Sequence, residues 1–463
     1  MQTLEDYISD RYNNNVNWFE DEVEQANHIV RISNVVNNKE YLLGHHKILE
    51  REDAEWKGQE YITKKLILNQ AKTILNFHST YLLGKPLSLT GSEGKVKEYQ
   101  NVYRRGNYNN MDFKLLDNVI KYGDSYEYVY IDSNKNICSK IIKSEDGYPI
   151  YSEDTGDYIG FIEYYTMQSN SVSYYNVYYA DRVEQWNNQG GDLRLISTSN
   201  NISGLPIHYS NNESEYDNFG RSILEDLKPL FDEFEDIFSK MSDSIYTLSL
   251  NPMPVTTGQK IEGSIPADAC GYSINLDAGS FDYKNAVIDS NTVKLYLDKL
   301  QQQLNSIAHM PSIALGNSNV ANVSEVSLKL LYQLADVEAM LNEKWMRRGL
   351  QQRFLYFDKL LGLLGITFNN NDYVDVEFNY SRPVNGQDLL NEIQTQFNMG
   401  AISKQSIIEK SPLTTDVSTE MERLKEENNS DNSTGNNTDN NDNEKSQNTT
   451  SNVQDNEVKN EGK

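Results

Sequence analysis

The chain has 463 residues, 38% of them hydrophobic with 31 Tyr and 14 Phe, so it can build sizeable cores and is too long for one ordinary domain. A formal net charge of −26 excludes a protein that wraps nucleic acid with a basic surface, though not one that handles nucleic acid without gripping it. Only Cys138 and Cys270 occur, far apart, which implies neither a disulfide framework nor a cysteine metal site.

The first residues lack the basic and apolar regions of a signal peptide, and no run approaches transmembrane length. The chain therefore reads as soluble and made inside a cell. Up to about Val35 the pattern is polar and helical, and a short segment, Glu40–Leu49, follows. The spacing of Ile62, Leu66, Ile67, Ala71, Ile74, Leu75, His78 and Leu82 predicts a helix from Tyr61 to Leu83, stopped by Gly84 and Pro86. A second helix covers about Asp112–Lys121. From Ser125 the period changes to two: strand-like runs at 125–132, 137–142, 159–166, 172–180, 182–185 and 193–197 alternate with turn signals such as Glu145-Asp-Gly147. This predicts a tyrosine-rich antiparallel meander, and with the helices before it an α+β region over about residues 1–215.

Two amphipathic helices come next. The first carries Ile223, Leu227, Leu230, Phe234, Ile237, Met241, Ile245 and Leu248 at steps of four and three, with Ser222 and Glu225 as a capping box and Pro229 in its early turns. The second repeats the spacing at Val293, Leu297, Leu300, Leu304 and Ile307. Between them lies a Pro/Gly-rich insert, about Ser249–Ile288, and the return helix ends at Met310-Pro311. A stretch of small and polar residues, 312–322, leads into a helix of roughly forty residues, about 60 Å if unbroken. Its stripe is Val326, Leu330, Leu334, Val337, Leu341, Trp345 and Leu355, and Gly349 is the candidate for a bend. A strand at 373–380, short helices at 387–398, 403–411 and 417–427, and a disordered Asn/Asp-rich tail from 428 complete the chain.

No catalytic constellation rises above background. Gly91-Ser-Glu-Gly94-Lys95 has the wrong spacing for a phosphate loop and reads as a surface turn. His45-His46 lacks an acidic or cysteine partner at helical spacing and reads as a polar turn, so no metal or cofactor is expected. The carboxylates of the first stripe helix, chiefly Asp232, Glu233, Glu235 and Asp236, lie mainly off its apolar face. Alone they are a solvated face. In a ring of copies they would form a negative wall that repels a phosphate backbone, with Lys294 and Lys299 of the return helix as positive rungs or as partners of neighbouring carboxylates.

The order of helix, insert, helix, loop and long helix resembles the core of tailed-phage portal proteins. Tyr81-Leu-Leu-Gly-Lys-Pro86 is similar to the motif leading into the wing in the portal family typified by long-tailed phages of Gram-positive bacteria. Lys121–Asp132 resembles that family's Gly-x-Ala/Ser-Tyr-Glu strand, and Gly204-Leu-Pro-Ile207 and Phe378-Asn-Tyr-Ser-Arg-Pro383 also fit. The resemblance implies a portal-type α+β fold: a wing over 1–220 and 324–385, stem helices at 221–248 and 289–310, a small α/β clip at 249–288, a tunnel loop at 311–323 and a short helical crown at 386–427. It implies a non-enzymatic ring, typically of twelve copies, at one vertex of the virion capsid, assembled in the bacterial cytoplasm without a membrane. Double-stranded DNA would pass through it. The terminase large subunit, head-completion or adaptor proteins, and the major capsid and scaffolding proteins would be its partners. The residues expected to face the DNA are Ser312, Asn317, Ser318, Asn319, Val320 and Asn322. Two other classes stay open: a carboxylate-dependent glycan hydrolase, favoured by the tyrosine-rich meander, and a structural scaffold that never meets DNA.

Overall fold

Local chemistry sets the first boundaries. The Thr3 hydroxyl accepts from Asp6 N at 3.1 Å while the Asp6 carboxylate accepts from Thr3 N at 3.0 Å, a reciprocal cap that starts α1 (Leu4–Tyr12). After α2 (Trp18–Val23), α3 (Ala26–Leu43) ends at Gly44 with φ +102°. The computed structural model describes residues 2–56, 59–211, 218–245, 253–258, 278–284, 289–311, 325–383, 386–411, 414, 417, 420–421 and 423–427. The chain divides into two units, Met1–Pro383 and Val384–Lys463.

In the first unit a 3₁₀ turn (Lys47–Glu50) and a hairpin, β1 (Ala54–Trp56) and β2 (Gln59–Tyr61), lead to α4 (Gln70–Leu83), β3 (Ser88–Gly91), α5 (Glu93–Gly106) and α6 (Tyr108–Tyr122). Eight strands follow: β4 (Asp124–Ile131), β5 (Ile137–Ile142), β6 (Gly147–Tyr151), β7 (Tyr158–Met167), β8 (Val172–Tyr178), β9 (Arg182–Asn187), β10 (Arg194–Asn200) and β11 (Ile207–Ser210). Then come α7 (Leu224–Ser244), the pair β12 (Met253–Thr257) and β13 (Ser280–Lys284), α8 (Ser290–Ile307), α9 (Glu325–Leu331), α10 (Gln333–Leu363) and β14 (Val374–Glu377). The second unit contains α11 (Gly386–Asn398) and α12 (Lys404–Lys410). The result is a mixed helix-and-sheet, α+β architecture.

The expected meander is present as β7 to β10, and an unpredicted strand, β6, extends it to five strands, antiparallel throughout with every neighbour consecutive. The first two predicted strands leave it: β4 and β5 form a separate sheet with β11 in the order β11-β4-β5. The supposed surface turn at Gly91–Lys95 is the end of β3 and the start of α5. That helix buries Lys95, Tyr99, Val102 and Tyr103, and Lys95 Nζ reaches Asp358 at 2.8 Å. The capping box at Ser222 does not form, because Arg221 Nε donates to Glu225 at 3.0 Å and the Ser222 hydroxyl donates to Ile120 O at 3.0 Å.

The predicted forty-residue helix is divided at Tyr332 into α9 and α10, and α10 stays helical through Gly349. Its missing side chain admits the Tyr209 ring, which would stand 2.1 Å from an added Cβ. The stripe named from the sequence is uncovered in the single chain: Val326, Leu330, Leu334, Val337, Leu341 and Leu355 are all exposed. Ala335, Ala339, Met346, Leu350, Phe357 and Leu361 are the buried side. With them lies Arg353, fully buried, bonded to Asp112 and Glu127, the latter at 2.9 Å, while Tyr209 OH donates to Glu127 at 2.7 Å. Burial pushes Asp112 up to about 6 against the opposing pull of Arg353.

Gly349→Ala is expected to destabilise the folded chain by about 1–3 kcal/mol, because the ring of Tyr209 cannot yield without leaving its bond to Glu127. Chemical denaturation of the variant and the parent measures the difference.

Candidate functional site

The stem region was expected to expose its carboxylates, and the structure separates them. On α7, Leu224, Leu227, Phe231 and Phe234 are buried, and the next buried positions are Glu235, Ser239 and Asp243. These three stand four residues apart on one face, about 6 Å per step along the axis. Against them runs an extended segment whose alternate N–H groups recur at nearly the same interval, about 6.7 Å per two residues. Leu68 N donates to Glu235 Oε1 at 2.9 Å, Leu66 N to Ser239 Oγ at 2.9 Å and Lys64 N to Asp243 Oδ1 at 3.0 Å. The predicted helix from Tyr61 therefore starts only at Gln70, after Asn69 at φ +49°. Its upstream N–H groups are engaged by another helix's side chains instead of by their own carbonyls.

Glu235 is thus no wall charge. It is 1% exposed, and His46 Nδ1 lies 2.7 Å from its Oε1. His46 is correspondingly no polar turn: it is buried, stacked on Tyr41 at 3.9 Å, with Nε2 2.9 Å from Tyr41 O. The other expected charges lie nearer solvent. Burial pushes the half-buried Asp232 carboxyl up, while the Tyr41 hydroxyl, donating at 3.4 Å, opposes this. Glu233 accepts from Tyr296 OH of α8 at 3.0 Å, tying α7 to α8, and Asp236 pairs with Lys240 at 2.6 Å. Lys294 and Lys299 are exposed, and Lys299 Nζ donates to Gln302 at 3.1 Å. Ser312, Asn317, Ser318, Asn319, Val320 and Asn322 lie outside the described residues.

Sequence reasoning missed the arrangement just before that loop. α8 closes with Met310 N donating to Asn305 O at 2.9 Å and His309 at φ +47°. Two imidazoles hold this end to different helices. His78 Nε2 of α4 donates to Ala308 O at 2.8 Å, and His309 Nδ1 donates to Glu338 Oε2 of α10 at 2.8 Å. Asn342 Nδ2 supports Glu338 at 3.1 Å. The bond to Glu338 raises the His309 pKa, and burial lowers that of His78. Burial pushes Glu338 up, but its bonds from His309 and Asn342 and the nearby imidazoles hold it below its ordinary value. The one sequence signal was a histidine immediately before Met310-Pro311; its partner, 29 residues on, gave none. In α7 a weak signal did exist: Glu235, Ser239 and Asp243 repeat at four-residue spacing, one step on from the apolar Phe234.

These parts are a pair of helices, α7 and α8, braced against an α+β body. The sequence model for phage portal proteins of the SPP1 Gp6-like kind matches residues 21–434, and the chain belongs to that family, whose members are structural, non-enzymatic components of phage virions. It is similar to the portal protein of Bacillus phage SPP1, 21% identical over 386 residues that cover 77% of this chain and 74% of that one. Solved structures that resemble it include the neck of an empty gene transfer agent particle computed with C6 symmetry, at 13% identity and TM-score 0.44, covering 73% of this chain and 89% of the other. The neck of the native particle computed with C12 symmetry gives 13% identity and TM-score 0.42, over 74% and 90% of the two chains.

Glu235→Ala is expected to lose about 1–3 kcal/mol by leaving His46 and Leu68 N without their acceptor, and to expose 62–69 to proteolysis before the rest of the chain. Limited proteolysis followed by mass mapping reads both effects. For His309 the raised pKa means that its contribution is complete below about pH 6.5 and falls away as pH rises through the folded value. The stability lost in His309→Gln should therefore be larger near pH 6 than near pH 8.5, by no more than about 1 kcal/mol for a partly solvated pair. Urea titrations of both proteins at the two pH values give the comparison.

Proposed function

We propose that this chain is the subunit of a closed portal ring at one capsid vertex, the conduit through which double-stranded DNA is packaged and later ejected. Membership of the portal family supplies the class. The observation that carries the ring is the outward face of α9 and α10, where Val326, Leu330, Leu334, Val337, Met340 and Leu341 are exposed along one line of helix. A stripe of that length demands a partner surface, and identical subunits joined head to tail close into a ring when the rotation permits.

In this reading residues 1–220 and 324–385 form the wing, 221–248 and 289–310 the stem, 249–288 the clip and 386–427 the crown. The loop 311–323 and the polar outer face of α8, with Lys294 and Lys299, line the channel. The chain's net charge of −26 keeps the passing duplex from being held. The clip receives the terminase large subunit during packaging and head-completion proteins afterwards, and capsid and scaffolding proteins surround the wing. Assembly takes place in the bacterial cytoplasm. The ring performs no chemistry of its own.

Electron microscopy of the purified chain should show rings. Val337→Asp with Leu341→Asp should give folded monomers, since both side chains are exposed in the single subunit and substitution there leaves its stability within about 0.5 kcal/mol. Particles made with that variant should contain no packaged DNA. A parent protein that stays monomeric at every concentration, or capsids that fill normally without it, would reject this function.

A further inference from the structure

The outward face of α10 is not apolar along its whole length. At about 100° per residue, Val337, Leu341, Lys344, Arg348 and Leu355 fall within about 40° of one line, so two cations continue the exposed stripe. Neither forms an ion pair among the described residues: Lys344 lies over the Trp345 ring at 5.6 Å, and Arg348 borders a groove with Met340, Glu343, Lys344, Arg347 and Gln351, in which Glu343 is already engaged by Arg347 at 2.8 Å. In a chain of net charge −26 this is an unneutralised basic turn.

A surface of opposite sign occurs elsewhere in the same unit. A groove of about 800 Å³ runs between the 3₁₀ turn Lys47–Glu50 and α7. Most charges along it are already engaged. Arg51 pairs with Asp243 at 2.9 Å, Lys228 donates to Asn38 at 2.6 Å, Glu225 accepts from Arg221 at 3.0 Å and Asp236 pairs with Lys240 at 2.6 Å. Glu50, Asp232 and Glu233 have no cation within ion-pair distance among the described residues, and the cations of the groove that oppose them from further off are Lys47 and Lys228, the latter bonded to a neutral amide. Pro229, exposed on the groove, offers an apolar contact beside the charges.

We propose that the Lys344–Arg348 turn of one copy docks in the Glu50/Asp232/Glu233 groove of the next copy, so that these stem carboxylates face a neighbouring subunit and not the channel. The occupant is a second copy of this chain, because the same molecule presents a basic turn continuous with an uncovered apolar stripe and an acidic groove with uncompensated carboxylates. Two unlike surfaces on one subunit make the contact head-to-tail, as a ring requires. The proposal rests on the ring reading above.

Charge reversal on each side tests it. Lys344→Glu with Arg348→Glu, and separately Glu50→Lys with Glu233→Lys, should each weaken assembly at least about tenfold in sedimentation, and more so at low salt. Combining all four substitutions in one chain should restore rings, since every junction then has its signs exchanged. Rings that form undiminished in both reversed proteins, or a four-fold variant no better than its parents, would overturn the docking while leaving the ring itself intact. A parent chain that forms no ring would instead reject the underlying reading. Should a reversed protein fail to fold, Lys344→Cys with Glu233→Cys provides a second measurement. Oxidation should give a ladder of linked multimers, and a monomer band alone contradicts the contact.

Discussion

The long helix α10 is held from within by one buried cation. Arg353 has no solvent exposure, and its guanidinium joins α6 through Asp112 and β4 through Glu127, with Tyr209 of β11 completing the set. A cation so placed cannot be left alone, because an unpaired buried charge costs several kcal/mol. The helix therefore has a fixed rotation, and Gly349, one turn earlier, fits that rotation by making room for Tyr209. Everything on the opposite side of α10 is committed to the exterior by the same bond. The exposed stripe is thus the far side of an electrostatic anchor.

Elements governed by short-range periodicity were legible in the sequence. The part of the α7 stripe at Leu227 and Phe234, the alternation of β7 to β10 and the stops after α4 each follow from residues within a few positions of one another, whereas Ile245 of the same stripe is exposed and Leu248 lies outside the described residues. What escaped depends on partners distant in sequence. Residues 62–69 have helical apolar spacing, yet Asp243, Ser239 and Glu235, well over a hundred residues away, capture their N–H groups. For α10 the periodicity was real but left the inner face unassigned, because apolar residues occupy both faces and Arg353, Gly349 and the small Ala335 and Ala339 mark the inner one. Glu235 was grouped with the wall charges by composition, and only its partner His46 distinguishes it.

The acidic surplus accordingly divides into kinds. Glu235 and Asp243 are structural acceptors on the hidden side of the stem, and Asp236 is neutralised within its own helix. Asp232 and Glu233 stand between these and solvent, each with a tyrosine hydroxyl in place of a cation. A single net-charge figure conceals this division, and only the outermost group can act on a passing or neighbouring molecule.

The three backbone bonds that tie 64–68 to α7 also have a mechanical meaning. They are evenly spaced between α7 and the segment beside it, so a force pulling α7 along its length loads all three together instead of opening them one after another. Such a joint resists sliding far better than peeling. Load carried along α7 would therefore pass into the body as shear, shared by Lys64, Leu66 and Leu68 at once.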